Sequence, residues 1–137
     1  MDIIVRKYEE KDLAAVNRML YEAFHRTKNN ITGDQFCELV VQLDSKVVGY
    51  LLLTKVLNPI LNRHYYLIDY VCIVREYRGL GLGDKLLAYA EEYARNDGSI
   101  YLQLTCRWTR IEAHKLYEKC GFKKRESDIF RKELIWY

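Results

Sequence analysis

Three glycines alternate with leucines in Arg78-Gly79-Leu80-Gly81-Leu82-Gly83, between a run of strand-forming residues and a run with helical spacing. Glycines there let backbone N–H groups approach a ligand closely, and the start of a helix adds unpaired donors and a partial positive charge. A phosphate suits such a turn, worth ~0.3–2 kcal/mol to an anion; a strand-to-helix connection that binds nothing is the alternative. A P-loop needs Lys and then Ser or Thr after its last glycine, whereas Gly83 is followed by Asp84-Lys85. A dinucleotide fold needs G-x-G-x-x-G and an acid ending the next strand, whereas these glycines are evenly spaced and that strand runs into Cys106-Arg107.

A second group of chemically capable side chains, Arg110, His114 and Tyr117, shares one helical face with Ala113 at i, i+3, i+4 and i+7. With no second histidine nearby, His114 reads as a helix histidine bonded to a neighbouring strand rather than a catalyst or metal ligand. His25 and His64 sit beside Arg26 and Arg63 in loop-like stretches, as surface residues would. Cys37, Cys72, Cys106 and Cys120 lie far apart with no C-x-x-C pair, so reduced, buried thiols are expected and no metal site.

The elements that must position these groups follow from periodicity. Ile3 to Arg6 alternates as a strand, and Leu13, Val16, Leu20 and Phe24 mark a helix from about Asp12. Phe36–Leu43 and Lys46–Val56 flank Asp44-Ser45 as a hairpin, and Tyr65–Val74 is a third strong strand. Leu86, Leu87, Ala90 and Ala94 mark a helix ended by Gly98, and Ser99–Cys106 is another strand. Thr109 and Glu112 have capping-box spacing for a helix closed by Gly121. Phe122–Glu126 and Ile129–Trp136 read as a final antiparallel pair turning at Ser127-Asp128. The sum is an α/β (mixed α+β) chain, one domain over residues 1–137, without repeat or linker. With 22 basic and 19 acidic residues scattered along it, the chain carries no nucleic-acid signature. It also shows no apolar leader and no membrane-length run, so a cytoplasmic protein is expected.

Two of these segments together resemble the GNAT N-acetyltransferase superfamily: Arg78–Gly83 its R/Q-x-x-G-x-G/A signature, and Leu116-Tyr117-Glu118-Lys119-Cys120-Gly121-Phe122 its aromatic-Tyr helix end closing in Gly-Phe. The resemblance spans Ile3 to Leu134. It implies a mostly antiparallel sheet of about seven strands with a splayed parallel pair, flanked by helices. It further implies acetyl-coenzyme A (acetyl-CoA) as cosubstrate, its pyrophosphate cradled by backbone groups of Arg78, Gly79, Leu80, Gly81, Leu82, Gly83 and Asp84. The pantetheine arm would pair with the strand end at Cys72, Ile73 and Val74, and Tyr117 would protonate the departing thiolate. Leu104 to Tyr117 is similar to the R-x-x-A-H-x-F/L-Y variant of the second motif seen in aminoalkylphosphonate N-acetyltransferases, with Arg110 meeting either the cofactor or an anionic acceptor.

Attack on a thioester requires a neutral amine, and an alkyl ammonium of pKa ~10.4 is only about one part in 10³ deprotonated at neutral pH. Many family members place an acid directly before the triplet matched by Val71-Cys72-Ile73; here that position is Tyr70 and the acid is Asp69. Strand alternation puts the two on opposite faces, and a β-bulge would be needed to turn Asp69 inward as the base; otherwise it is structural, and Tyr70 shapes the acceptor pocket. The acceptor is expected between His25–Asp34 and Leu57–His64, as a small primary amine, with no nucleic acid or membrane partner and with a homodimer consistent with the C-terminal strands. Protein amines, or an acyl-CoA-binding domain without turnover, are the alternatives.

Overall fold

The computed structural model describes residues 1–30 and 33–136. Its backbone is one five-stranded sheet in the order β1 (Ile3–Lys7), β2 (Phe36–Leu43), β3 (Lys46–Asn58), β4 (Arg63–Ile73) and β5 (Leu102–Gln103). All neighbours are antiparallel except β4 and β5. Asp44 takes a left-handed conformation (φ 54°) in the two-residue turn between β2 and β3, which sets their register at Leu43↔Lys46.

Strand alternation gives the sheet two apolar faces. Val40, Tyr50 and Cys72 meet Val16, Met19 and Leu20 of α1 (Leu13–Phe24) on one face. Leu39, Val41, Leu51, Leu53, Tyr66 and Ile68 meet Leu82, Leu86, Leu87 and Ala90 of α2 (Leu82–Asn96) on the other, together with Tyr117 of α3 (Ile111–Lys119).

Two expectations from sequence are corrected. The sheet has five strands, because neither Phe122–Glu126 nor Ile129–Trp136 enters a ladder, and β5 keeps only two residues of the expected Ser99–Cys106. Strand propensity alone cannot form a strand, since each backbone group needs a partner across a ladder. The capping box is also absent: the residue preceding α3 is Arg110, with no side-chain cap.

Asp12, only 4% exposed, ties the start of α1 to the sheet. It accepts two hydrogen bonds from the Arg6 guanidinium of β1 at 2.9 and 3.0 Å and one from the Glu9 N–H at 2.8 Å. Burial works against its ionisation, but these bonds outweigh it and hold the carboxyl below its ordinary value. A carboxyl depressed in the folded state stabilises the fold above its unfolded pKa, and that contribution is lost as pH falls through the folded value. Asp12→Asn is therefore expected to destabilise by about 2 kcal/mol at pH 7, with a gap that closes below about pH 4. Parallel urea titrations of the two proteins across pH measure that gap, and a pH-independent difference contradicts the assignment.

Candidate functional site

The site begins with an irregularity in β4. Leu52 pairs with Asp69 and Tyr50 with Cys72, so Leu51 alone stands opposite both Tyr70 and Val71. Tyr70 is the inserted residue, in the left-handed region at φ 58°, which costs a side-chain-bearing residue roughly 1–2 kcal/mol. A bulge is therefore present, but it follows Asp69 rather than turning it, and what it does is reset the phase of the strand. Ile68 faces α2 and Asp69 faces α1; beyond the insertion Val71 and Ile73 pack toward α2 and Cys72 toward α1. Tyr70 also stays on the α1 side, its ring edge-on to Phe24 at 5.2 Å.

β5 pairs with β4 only at Tyr66↔Leu102 and Leu67↔Gln103, so from Ile68 onward β4 has no ladder on that side. Val74 donates to Val48 across toward β3, and alternation then turns the Ile73 N–H and C=O to the open side. The Arg78 Nε–H reaches that carbonyl at 3.1 Å. Gly49 stands opposite and leaves room for the Ile73 side chain, since a Cβ there would lie 2.6 Å from Ile73 Cδ1. Gly49 was missed in the sequence, where its only signal is a glycine inside an otherwise apolar strand.

Below this edge lies the glycine turn. Gly79 (φ 81°) and Gly81 (φ 77°) need the left-handed conformation, and a Cβ on either would meet nothing within 4 Å, so the concave side is open. Gly83 serves packing instead, lying 3.1 Å (to a built Cβ) from Leu116 of α3. Among the described residues no hydrogen bond engages the backbone N–H of Gly79, Leu80, Gly81, Leu82, Gly83 or Asp84, and α2 has no side-chain cap. Six consecutive donors at a helix start fit a pyrophosphate. The Asp84 carboxylate points away from them: it accepts from Lys119 Nζ at 2.9 Å and from the Cys120 thiol at 3.3 Å. That clamp holds the Asp84 carboxyl below its usual range, while burial and the Asp84 bond push Cys120 up to about 11. It fixes the end of α3 against the turn.

Tyr117 is thereby placed on the α2 face, 8% exposed, its ring edge-on to Phe122 at 6.0 Å. Burial raises its pKa, so it stays a protonated donor at neutral pH, and its hydroxyl has no hydrogen-bond partner among the described residues. Arg110 stands exposed at the head of the same helix. His114 Nε2 lies 2.8 Å from the Arg107 carbonyl, joining the helix to the loop before it rather than to a strand.

On the α1 face, Asp69 is solvent-accessible, yet crowding by the protein raises its carboxyl pKa. It shares a cross-strand row with Leu52 and Glu38. Glu38 accepts from Tyr50 OH at 2.7 Å and pairs with Lys28 Nζ at 3.1 Å, and that ammonium also sits 3.8 Å over the Tyr8 ring. Asn17 pins Lys28 through both its N–H (2.7 Å) and its C=O (3.2 Å). Sequence reasoning missed this cluster; its one visible sign was an acid within the apolar strand Phe36–Leu43. Ile31 and Thr32, within the expected acceptor segment His25–Asp34, lie outside the described residues. A cavity of about 440 Å³ at the β1–β2 edge, bordered by Tyr8, Phe36 and Glu38, is two strands away from the open edge of β4. Burial under α1 drives the Cys72 thiol up to about 12, leaving it unreactive.

Sequence comparison matches the acetyltransferase (GNAT) family over residues 3–122. The chain is 31% identical over 131 residues to an uncharacterized N-acetyltransferase of Methanocaldococcus jannaschii, covering 90% of this chain and 80% of the relative. It is 23% identical over 133 residues to an uncharacterized N-acetyltransferase of Bacillus subtilis, covering 88% and 89%. A putative acetyltransferase of Agrobacterium tumefaciens shares the fold with a TM-score of 0.82 at 20% identity over 95% of this chain and 99% of that one. Glucosamine-6-phosphate N-acetyltransferase of Arabidopsis thaliana gives 0.79 at 17% identity, over 96% and 99%.

The two aspartates flanking this site are expected to titrate on opposite sides of the ordinary value of about 3.9, Asp69 above and Asp84 below. Carboxyl-carbon NMR resolves the two midpoints. A raised carboxyl opposes folding once ionised, so Asp69→Asn should leave stability at pH 7 unchanged or higher. A lower melting temperature for that variant would instead make Asp69 a structural residue.

Proposed function

The chain belongs to the acetyltransferase (GNAT) family, and we propose that it is a single catalytic domain carrying the acetyl group of acetyl-CoA to the primary amine of a small molecule. The observation that carries this reading is the row of unclaimed N–H groups from Gly79 to Asp84 at the foot of the open β4 edge. In this reading those donors and Arg78 hold the pyrophosphate, Cys72, Ile73 and Val74 run beside the pantetheine, and Arg110 meets either the cofactor or an anionic acceptor. Arg78 would release the Ile73 carbonyl as the pantetheine takes its place.

Asp69 and Tyr117 stand on opposite faces of the sheet, either side of the gap between β4 and β5. That supports a direct transfer in a ternary complex. The ammonium approaches from the α1 face and gives one proton to Asp69; its neutral nitrogen attacks the thioester carbon and loses a second proton to solvent as the amide forms. The Ile73 N–H, turned into the gap, is positioned as a donor to the developing oxyanion. As the carbon–sulfur bond breaks, Tyr117 gives its proton to the thiolate from the α3 face, a contribution of roughly 10²–10⁴ in rate. The raised carboxyl pKa of Asp69 makes it a stronger base than a free carboxylate. The Phe24–Tyr70 pair beside Asp69 forms an aromatic wall of the kind that holds an alkylammonium. Four free thiols are in keeping with a cytoplasmic setting.

Thiol release from acetyl-CoA, measured against aminoalkylphosphonates, amino sugars, polyamines, amino acids and peptides, tests the reading. Amine-dependent release with a small molecule supports it. Release with peptides alone would make the chain a protein acetyltransferase, and binding without release a non-catalytic acyl-CoA module. Gly81→Val is expected to weaken acetyl-CoA binding at least about tenfold by forcing a β-branched residue into a positive-φ site. Tyr117→Phe should lower kcat by ~10²-fold with little change in that affinity, and an unchanged kcat removes Tyr117 as the acid.

A further inference from the structure

The helix α1 covers only part of its face of the sheet. It rests on Val40, Tyr50 and Cys72, and the core it makes ends at Leu52. Beyond the row that holds Leu52 and Asp69, two more rows lie on the same face: Phe36, Thr54 and Leu67, then Val56, Tyr65 and Tyr101. Alternation puts both tyrosines there, because their neighbours Tyr66 and Leu102 pair with one another and face α2. None of the six joins either buried core, and Phe36 and Tyr101 remain 43% and 47% exposed. The Tyr65 and Tyr101 rings stack on each other, their centroids 4.6 Å apart and their planes inclined by 26°. A contiguous apolar surface of this kind marks a binding site more often than a scatter of exposed side chains does. The six residues carry no charge, and charges enter this face only in the rows on either side, with Glu38 and Asp69 in one and Arg63 in the other. Glu38 is matched by Lys28, which leaves Asp69 as the carboxylate open to a cation.

We infer that these two rows hold the body of the acceptor, and that the acceptor is an amine bearing an uncharged aromatic ring on a flexible spacer, with Tyr65 and Tyr101 as its specificity-determining residues. The inference rests on the reading of Asp69 as the group that receives the proton of the amine. With the ammonium at Asp69, between that carboxylate and the edge-on Phe24–Tyr70 pair, the spacer runs along β4 over Leu67 and the ring meets the stacked tyrosines. Asp69 and Tyr65 are four positions apart on one strand, about 13 Å between Cα atoms, a span that a spacer of about six methylenes covers once the side chains reach inward. The choice of an aryl group follows from what the surface lacks. A polyamine would lay a second ammonium, and an aminoalkylphosphonate its anion, on side chains that offer no countercharge, so each would lose hydration without a partner. An aromatic ring has no such cost, and tyrosine faces attract it in offset or edge-on geometry. A mostly apolar floor with one charged group at its end is also the composition by which small-molecule sites orient a ligand.

Phenylhexylamine, hexylamine, spermidine and aminohexylphosphonate, compared as acceptors for the full chain, test the assignment. The wild-type protein is expected to favour phenylhexylamine over hexylamine by about tenfold or more in kcat/KM, and Tyr65→Ala combined with Tyr101→Ala should bring that ratio close to one. A second measurement needs neither a variant nor turnover: with coenzyme A present, the phenyl protons of phenylhexylamine should show nuclear Overhauser contacts to the rings of Tyr65 and Tyr101. A wild-type ratio near one, a ratio unchanged in the double variant, a preference for spermidine or aminohexylphosphonate, or the absence of those ring contacts each overturns the proposal. The two readings fail separately. Ring contacts without turnover of any amine would keep the aryl-amine site and remove the transfer reaction, whereas equal turnover of hexylamine and phenylhexylamine would keep the reaction and remove the site.

Discussion

One residue too many on β4 sets the geometry of everything around the site. Placing Tyr70 and Val71 together opposite Leu51 shifts the strand by one side chain, so the segments before and after Tyr70 obey opposite parities. Had alternation continued, Ile73 would face α1 and Cys72 would face α2; with the insertion, Ile73 joins the α2 core and Cys72 closes the α1 core. The same shift exchanges the backbone groups. Before the insertion the Tyr66 N–H reaches across to the Tyr101 carbonyl of the β5 side; after it, odd-numbered residues carry that direction and Ile73 presents its amide to the gap.

A left-handed tyrosine is strained, and its surroundings must over-determine it. The β3–β4 ladder does so from both ends, with pairs running from Arg63 to Asp69 on one side and at Cys72 and Ile73 on the other. The Phe24 ring meets Tyr70 edge-on and α1 packs across both strands, so the insertion cannot slide along the ladder without breaking pairs that bury Ile68 and Cys72. Local strain is offset by the cooperative packing of two cores. That same rigidity keeps the unpaired edge of β4 open beside the hydrogen-bonded β3–β4 ladder.

The sequence was legible where one residue type has one structural use. Gly79 and Gly81 announced a turn and a helix start because positive φ leaves few alternatives, and the hairpin at Asp44-Ser45 was visible for a similar reason. Tyr117 was placed by helical spacing and by its neighbour Gly121. The bulge was only a conditional expectation, because the β-propensities of Tyr70 and Val71 are those of any strand residue, and what inserts one of them is the register of β3. The Glu38–Lys28–Tyr50 cluster was invisible because Lys28 lies in a loop whose course is fixed by Asn17 across eleven positions. The C-terminal strands were misread for a different reason: their pattern is that of a strand, and a strand exists only where a ladder partner is present.

Placement of Asp69 and Tyr117 on opposite faces follows from chain order. A right-handed crossover from β4 through α2 to the parallel β5 puts α2 on one face, and α3, continuing from β5, lies on the same side with Tyr117. The early helix α1 is left to cover the other face, where Asp69 emerges. The carboxyl of Asp69 and the phenol of Tyr117 are thus kept apart by the thickness of a sheet, with no direct contact between them. Only where β4 and β5 part can a single molecule reach both. The Asp84 clamp on Lys119 and Cys120 then matters beyond local stability, because it couples the donors of the glycine turn to the helix that carries Tyr117. Through that one carboxylate the glycine turn and the helix bearing Tyr117 are held in one register.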